Sequence, residues 1–225
     1  MVLEMEIAMD KTGVISECGR KGADLDTIAQ QVVERPERIA DLVDALQSEK
    51  GTARYTYEKV LRRVSERRPE LAYPWFDVFA AMLNHDNSFL KWGAIMTIAN
   101  LASVDSEGKF DAIFEKYYAP IRGPVMVTAA NIIGSSPKIA RAKPHLAGRI
   151  AREVLKVRKA RYERHGDLSP ECRNVAIGHA VEAFDEFFDQ ISDKASVLEF
   201  VKSQLKHTRK PVVKKAERFL RRHAS

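Results

Sequence analysis

Apolar positions along this chain recur every three to four residues, in blocks broken by short polar or proline-containing stretches. That spacing lines side chains along one face of an α-helix. The clearest block runs from Leu71 to Val104. Its first half puts Phe76, Phe79 and Leu83 on one face, and its second half puts Leu90, Ala94 and Ile98 on one face. Between them, His85-Asp86-Asn87 predicts a turn whose short polar side chain caps the second helix. Such a helical pair, about 35 residues long, cannot bury both apolar stripes alone and needs neighbours of the same kind.

Similar pairs precede and follow it. Pro36 suits a first helical turn, and Ile39, Leu42, Val43 and Leu46 follow on one face. Residues 48–51 make a turn, and 52–68 form the partner helix. Phe110 to Tyr118 predicts another helix, ended by Pro120. Pro124 opens the next, expected to run to about Gly134, with Ser135-Ser136-Pro137 as a turn. Pro144 to Arg161 reads as one long helix with Leu146, Ile150, Val154 and Val157 on its buried side. Arg164-His165-Gly166-Asp167 reads as a loop, and Ser169-Pro170 as the cap and first turn of a helix reaching about Gln190. That helix has an acidic side of Glu182, Asp185, Glu186 and Asp189. Leu198, Val201 and Leu205 form the stripe that leads to the last pair. Near the N-terminus, Leu25, Ile28 and Val32 predict a short helix, with residues 1–23 a loose arm or cap. The expected organisation is an arm and capping helix over 1–35 and a repeat domain over 36–225, because the end of a helical stack must be covered.

The second helices of the pairs align as columns. Ala53, Leu90, Val125, Cys172 and Val212 form the first. Tyr57, Ala94, Ala129, Ala176 and Ala216 form the second, and Leu61, Ile98, Ile133, Ala180 and Leu220 the third. Every position is apolar or small, and the anchors are separated by 37, 35, 47 and 40 residues, so one insertion precedes Cys172. With Asp86-x-x-x-Leu90-Lys91-x-x-Ala94, and less closely Glu49-x-x-x-Ala53-Arg54-x-x-Tyr57, the chain resembles the HEAT (armadillo-like) helical-repeat family from about Pro36 to Arg222. Met126 and Val213 depart from the pattern where a basic residue follows the anchor. The resemblance implies an all-α, right-handed α–α superhelix, a HEAT-like solenoid of about five helical hairpins, whose second helices line a concave binding surface.

Composition adds bounds. Hydrophobic content of 45% with 30% charged residues is ordinary for a globular or repeat protein. No apolar run is long enough to span a bilayer, so no membrane partner is expected. The start, MVLEMEIAMD, lacks the basic region of a signal peptide. The two distant cysteines, Cys18 and Cys172, read as free thiols, and the expected setting is cytoplasmic. The net charge of +6 hides segregation: residues 141–164 hold nine basic and two acidic side chains, and residues 202–222 hold nine and one. That bears on partners rather than on fold.

Opposite the core columns, Trp92, Met96 and Val127 form an apolar patch with Asn131 and Asn174 beside it and Lys91 and Arg173 at its rim. These are the candidate partner-binding residues, for a protein or peptide segment of anionic character, against the alternative that Trp92 and Met96 pack between helices. A nucleic acid is the alternative partner. The candidate polyanion-binding residues are Arg149, Arg152, Lys156 and Lys159 on one helix face and Lys210, Lys214 and Lys215 near the C-terminus. The competing account is that the acidic helix at 182–189 neutralises them. No metal-ligand spacing, phosphate loop or nucleophile motif is present, so neither metal, cofactor nor catalytic residue is expected. A third reading comes from the resemblance alone. HEAT-like DNA glycosylases use aromatic residues, an arginine and a carboxylate, for which Trp92, Arg173 and Asp185 are the nearest counterparts.

Overall fold

The computed structural model describes residues 13–223. The expected loose arm or capping helix over residues 1–23 lies outside them for residues 1–12, and residues 13–19 are helical. The chain divides into two compact units, Met1–Lys109 and Phe110–Ser225.

In the first unit, residues 13–19 are helical (α1). Then come α2 (Leu25–Glu34), α3 (Arg38–Ser48), α4 (Ala53–Arg67), the single turn α5 (Pro69–Ala72), α6 (Phe76–Met82) and α7 (Ser88–Leu101). Local chemistry sets the starts. The Asp24 carboxylate accepts from the amides of Asp26 and Thr27 at the head of α2. The Asn87 side chain accepts from Phe89 and Leu90 at 3.0 and 3.2 Å, giving the predicted cap of α7. The first helix of this pair is not continuous: a 3-10 turn over Tyr73–Trp75 separates α5 from α6. Pro74 lies inside that turn, where it can neither donate to nor fit a regular α-helical ladder. The stripe survives the break, since Phe76, Phe79 and Leu83 are all buried. Burying each phenylalanine is worth about 1.5–3 kcal/mol. The second helices α4 and α7 pack side by side, and a buried hydrogen bond from the Asn100 amide to the Ser65 hydroxyl at 2.9 Å ties their far ends.

In the second unit, α8 (Lys109–Tyr118) leads to α9 (Met126–Ala142), α10 (Ala147–Leu155) to α11 (Pro170–Phe187), and α12 (Lys194–Ser203) to α13 (Lys210–His223). With α3–α4 and α5/α6–α7, that makes five helical pairs among the described residues. The second column holds, with Tyr57, Ala94, Ala129, Ala176 and Ala216 buried, and in the third Leu61, Ile98, Ile133 and Ala180 are buried while Leu220 is half-buried. Val125 breaks the first column. It precedes the first turn of α9 and is 44% exposed.

Three local expectations are corrected. First, α9 does not stop at Gly134 but runs through Ser135-Ser136-Pro137 to Ala142. Its stripe of Ile132, Ile133, Ser136, Pro137, Ile139 and Ala140 stays in helical phase and buried, which outweighs the hydrogen bond that Pro137 removes. Second, the long helix from Pro144 is α-helical only from Ala147 to Leu155, between 3-10 turns at Pro144–Leu146 and Lys156–Lys159. Its four predicted core residues are nevertheless buried. Third, the stripe of α12 is Val197, Phe200 and Val201, with Gln204 beyond, and Leu205 is exposed.

The insertion before Cys172 contains a small antiparallel hairpin, β1 (Glu163–Arg164) with β2 (Asp167–Leu168). His165 and Gly166 both take positive φ, 55° and 88°, as a two-residue hairpin loop requires. The segment before it lies against the start of α9, with the Arg161 amide donating to the Arg122 carbonyl at 3.1 Å and the Glu163 amide to that of Pro124 at 2.9 Å. Gly123 permits this approach, because a Cβ there would stand 2.4 Å from the Arg161 carbonyl oxygen.

Candidate binding surfaces

In the first unit an aromatic row, exposed at Phe89 and half-buried at Tyr55 and Trp92, crosses from α4 to α7. The rings of Tyr55 and Phe89 stand 5.7 Å apart and those of Phe89 and Trp92 5.2 Å apart, both edge to face. Phe89 is 63% exposed, while Trp92, Met96 and Lys91 are half-buried. The turn that presents the row is tied down. The Asn87 amide donates to the Tyr55 hydroxyl at 2.7 Å. His85 Nδ1 accepts from the Asn87 backbone amide at 2.9 Å. Arg54 reaches both the Leu46 carbonyl, at 2.8 Å, and His85 Nε2, at 3.1 Å. Rings held this way lose little freedom when a partner covers them. One turn along α4, Glu58 is buried, and burial pushes its carboxyl up to about 7 despite Arg62 at 3.3 Å.

The sequence singles out Lys91, Trp92 and Met96 as binding residues here; Tyr55 shares the outward position of Trp92 on its own helix, and Phe89 does not. Phe89 sits just before an anchor position, where a core role is the ordinary expectation. Its exposure follows from its place in the first turn of α7, which no earlier turn of that helix covers.

In the second unit, Val127 is 39% exposed at the start of α9. It lines an open cavity of about 580 Å³ with Val125, Met126, Cys172 and Val175, rimmed by Arg164 and Arg209. Arg173 lines a separate cavity of about 180 Å³ beside Tyr162, Leu168 and Pro170. The amide of Asn131 donates to the carbonyl of Val127 at 2.9 Å, and that of Asn174 to Glu171 at 3.4 Å. Both are occupied by their own helix and are half-buried.

The basic candidates divide by what they touch. Arg149 pairs with Glu115 at 2.7 Å and lies 4.0 Å above the Phe114 ring. Lys156 is held by Glu153. Lys215 meets Glu182 at 2.8 Å, and Arg141 meets Glu186 at 3.5 Å. Arg218 and Arg222 flank Asp185 at 3.6 and 3.1 Å. Arg209 pairs with Glu171. The acidic side of α11 therefore takes up several C-terminal cations. Arg152, Lys159, Lys210 and Lys214 stay exposed. Asp185, the nearest counterpart of a glycosylase carboxylate, is 8% exposed at its side chain and is also 2.9 Å from His223.

Among the described residues, no three His, Cys, Asp or Glu side chains gather as a metal-holding group, and no helix is long and apolar enough to cross a membrane. Cys18 is buried and Cys172 half-buried, both as free thiols, and burial pushes the Cys18 thiol up to about 12.

No protein-family model matches the chain, and no curated protein does. Among solved structures it is similar to a designed armadillo repeat protein in complex with a (KR)4 peptide. The identity is 14%, the TM-score 0.53, and the match covers 97% of this chain and 93% of that one. It also aligns with an engineered protein at 16% identity and TM-score 0.46, over 94% of this chain and 95% of the other. The helical pairs, their packed second helices and the likeness to the designed protein make this an all-α helical-repeat fold of the armadillo/HEAT-like kind.

Proposed function

We infer that this is a non-catalytic binding protein that recognises an extended protein segment on the exposed side of its second helices. The observation that carries this reading is the row Tyr55–Phe89–Trp92, a pre-ordered aromatic surface open at Phe89 and half-buried on either side, continuing to Met96. Aromatic groups of this kind supply most of the energy at protein interfaces. In the second unit, Val127 with Asn131, Arg173 and Asn174 is a further contact of the same type, apolar with polar groups beside it. Lys91 and Arg173 suit an acidic segment. The designed protein that shares the fold carries a basic peptide, so the sign of the charge is a point of contrast. The described helices before residue 36, α1 and α2, serve as the cap, and two widely separated free thiols suit a reducing cytoplasm.

The test is capture of binding partners by the intact chain and by Trp92→Ala, each at low and high salt, followed by titration of an acidic peptide and of (KR)4. The expected result is loss of the captured partner in Trp92→Ala at both salt concentrations, with the acidic peptide preferred. Equal capture by both proteins, or preference for the basic peptide, would overturn the reading or its anionic partner respectively.

A further inference from the structure

The second unit carries 23 basic and 13 acidic residues over Phe110–Ser225, against 14 and 18 over Met1–Lys109. Many of these cations are locally paired, at Glu115, Glu153, Glu171, Glu182, Asp185 and Glu186, and the excess of basic over acidic residues lies in the others. One place is different. Where α10 gives way to its 3-10 turn, Arg152, Lys156, Arg158 and Lys159 line an open cleft of about 550 Å³ whose other wall is the start of α12, at Asp193 and Ser196. Arg152, Arg158 and Lys159 are exposed. The one acid in the cleft lining, Asp193, caps α12 and also interacts with the charge of Arg152. Its carboxylate accepts from the Ser196 amide at 3.1 Å and from its hydroxyl at 2.6 Å. Lys156 is held by Glu153 and Arg152 interacts with Asp193, so four cations face two acids and keep a net charge of +2 that an anion lying across them would answer.

We propose that the cleft between α10 and α12 holds the phosphate backbone of a double-stranded nucleic acid. The cations run from Arg152 to Lys159, a span of about 12 Å from the helical rises. That matches the axial length of roughly three to four phosphates of one strand. Proteins that hold single strands add aromatic platforms on which bases stack. This cleft has none in its lining, which selects a duplex, whose bases are already stacked. The attraction argued here is to phosphate charge alone, so the binding is expected to be independent of sequence. The site lies on first helices of the repeat, so it is distinct from the aromatic row on the second helices of the first unit.

The test uses the full chain and labelled duplexes of about 20 base pairs, one of DNA and one of RNA, with a single strand and polyglutamate as further probes. Duplex binding is expected at about 50 mM salt, weakening linearly in log–log form as salt rises. Changing Arg152, Arg158 and Lys159 together to Glu should lower duplex affinity at least about tenfold and flatten the salt slope by about three. A Gln version of the same triple change should do so to a smaller extent. Reversing Arg20, Lys21 and Lys50, exposed in the first unit, removes equal charge and should leave affinity unchanged. The DNA and RNA arms tell which duplex is preferred, and binding of either supports the proposal. Absence of duplex binding, equal loss in the charge-reversed cleft variant and the charge-reversed first-unit variant, or tighter binding of the single strand or of polyglutamate would overturn it.

Discussion

The carboxyl group of Glu58 fills the space that a side chain at Gly93 would need. A Cβ on Gly93 would stand 2.0 Å from the Glu58 Cδ. Glycine at 93 leaves room for the Glu58 side chain between α4 and α7, where the acid is buried. Glu58 is 5% exposed. Desolvation holds its carboxyl at about 7, against an ordinary 4.5. Between these values the folded chain binds more protons than the unfolded chain, so stability falls as pH rises through that window. The contribution is complete below 4.5 and gone above about 7, with a ceiling of about 3 kcal/mol. Subtracting the pH profile of Glu58→Gln from that of the parent, each from urea unfolding, should leave a difference confined to this window. A difference that is flat from pH 4 to 8 would remove Glu58 from the account. Gly93→Ala should cost about 1–3 kcal/mol at any pH, as overpacked interfaces do.

Phe89 gives the sharper test of the aromatic row, because its exposure means that little of the fold depends on it. Phe89→Ala should leave the melting temperature within a few degrees of the parent. If the row is an interaction surface, the same change should weaken a captured partner by about 2 kcal/mol, roughly thirtyfold, at low and high salt alike. Isothermal titration with the isolated partner checks both points. A partner whose affinity tracks salt and ignores Phe89 is held elsewhere.

The repeat architecture was readable because each second helix obeys one rule three times over. A small or apolar residue every fourth position, as at Leu90, Ala94 and Ile98, survives any detail of the loops. Caps were equally legible at Asn87 and Ser169, whose side chains can reach amides only two or three residues ahead. What sequence spacing misplaced depended on competition. Ser135-Ser136-Pro137 has the composition of a turn, but the stripe on both sides of it stays in helical phase. Pro74 was the opposite case, a break hidden inside a continuous stripe. The surface was only half legible. Trp92 and Met96 were placed by rotation about the helix axis, while the exposure of Phe89 depends on the helix beginning at residue 88. The sorting of cations into paired and unpaired was invisible, since Arg149 and Arg152 look alike until Glu115 is found beside only one of them.

The continuation of α9 through its serines rests on a specific contact. The Ser136 hydroxyl donates to the Ile132 carbonyl at 2.9 Å and lies 3.2 Å from the hydroxyl of Tyr118. Both residues are fully buried, and burial drives the tyrosine far toward its neutral form. Ser136→Ala leaves the tyrosine hydroxyl short of a partner and should cost about 1–3 kcal/mol. Tyr118→Phe added to it should cost less than the sum of the two single changes, because the second deletion removes the group that the first stranded. Additive losses in a double-mutant cycle would mean that the two hydroxyls do not interact.

Asp185 fastens the end of α13 to α11. Its side chain is 8% exposed and meets Arg222 at 3.1 Å, Arg218 at 3.6 Å and His223 at 2.9 Å. The imidazole is itself packed against Phe188 and Phe219, at 4.7 and 4.6 Å between ring centres. The energetic weight is unequal. Arg218 and Arg222 are more than half exposed and can return to water when the acid is lost, so screening limits what they contribute. His223, 9% exposed, cannot, and would keep a buried ring nitrogen without its partner. Asp185→Asn should therefore lower stability by about 1–3 kcal/mol, less than the loss of a wholly buried pair. The effect should be local first. Amide exchange should quicken over the last two turns of α13 while α9 and the start of α11 keep their protection. Arg222→Ala should reproduce only a small part of it, and His223→Ala most of it. If Arg222→Ala proves the more damaging, the latch is electrostatic rather than the buried acid–imidazole contact argued here.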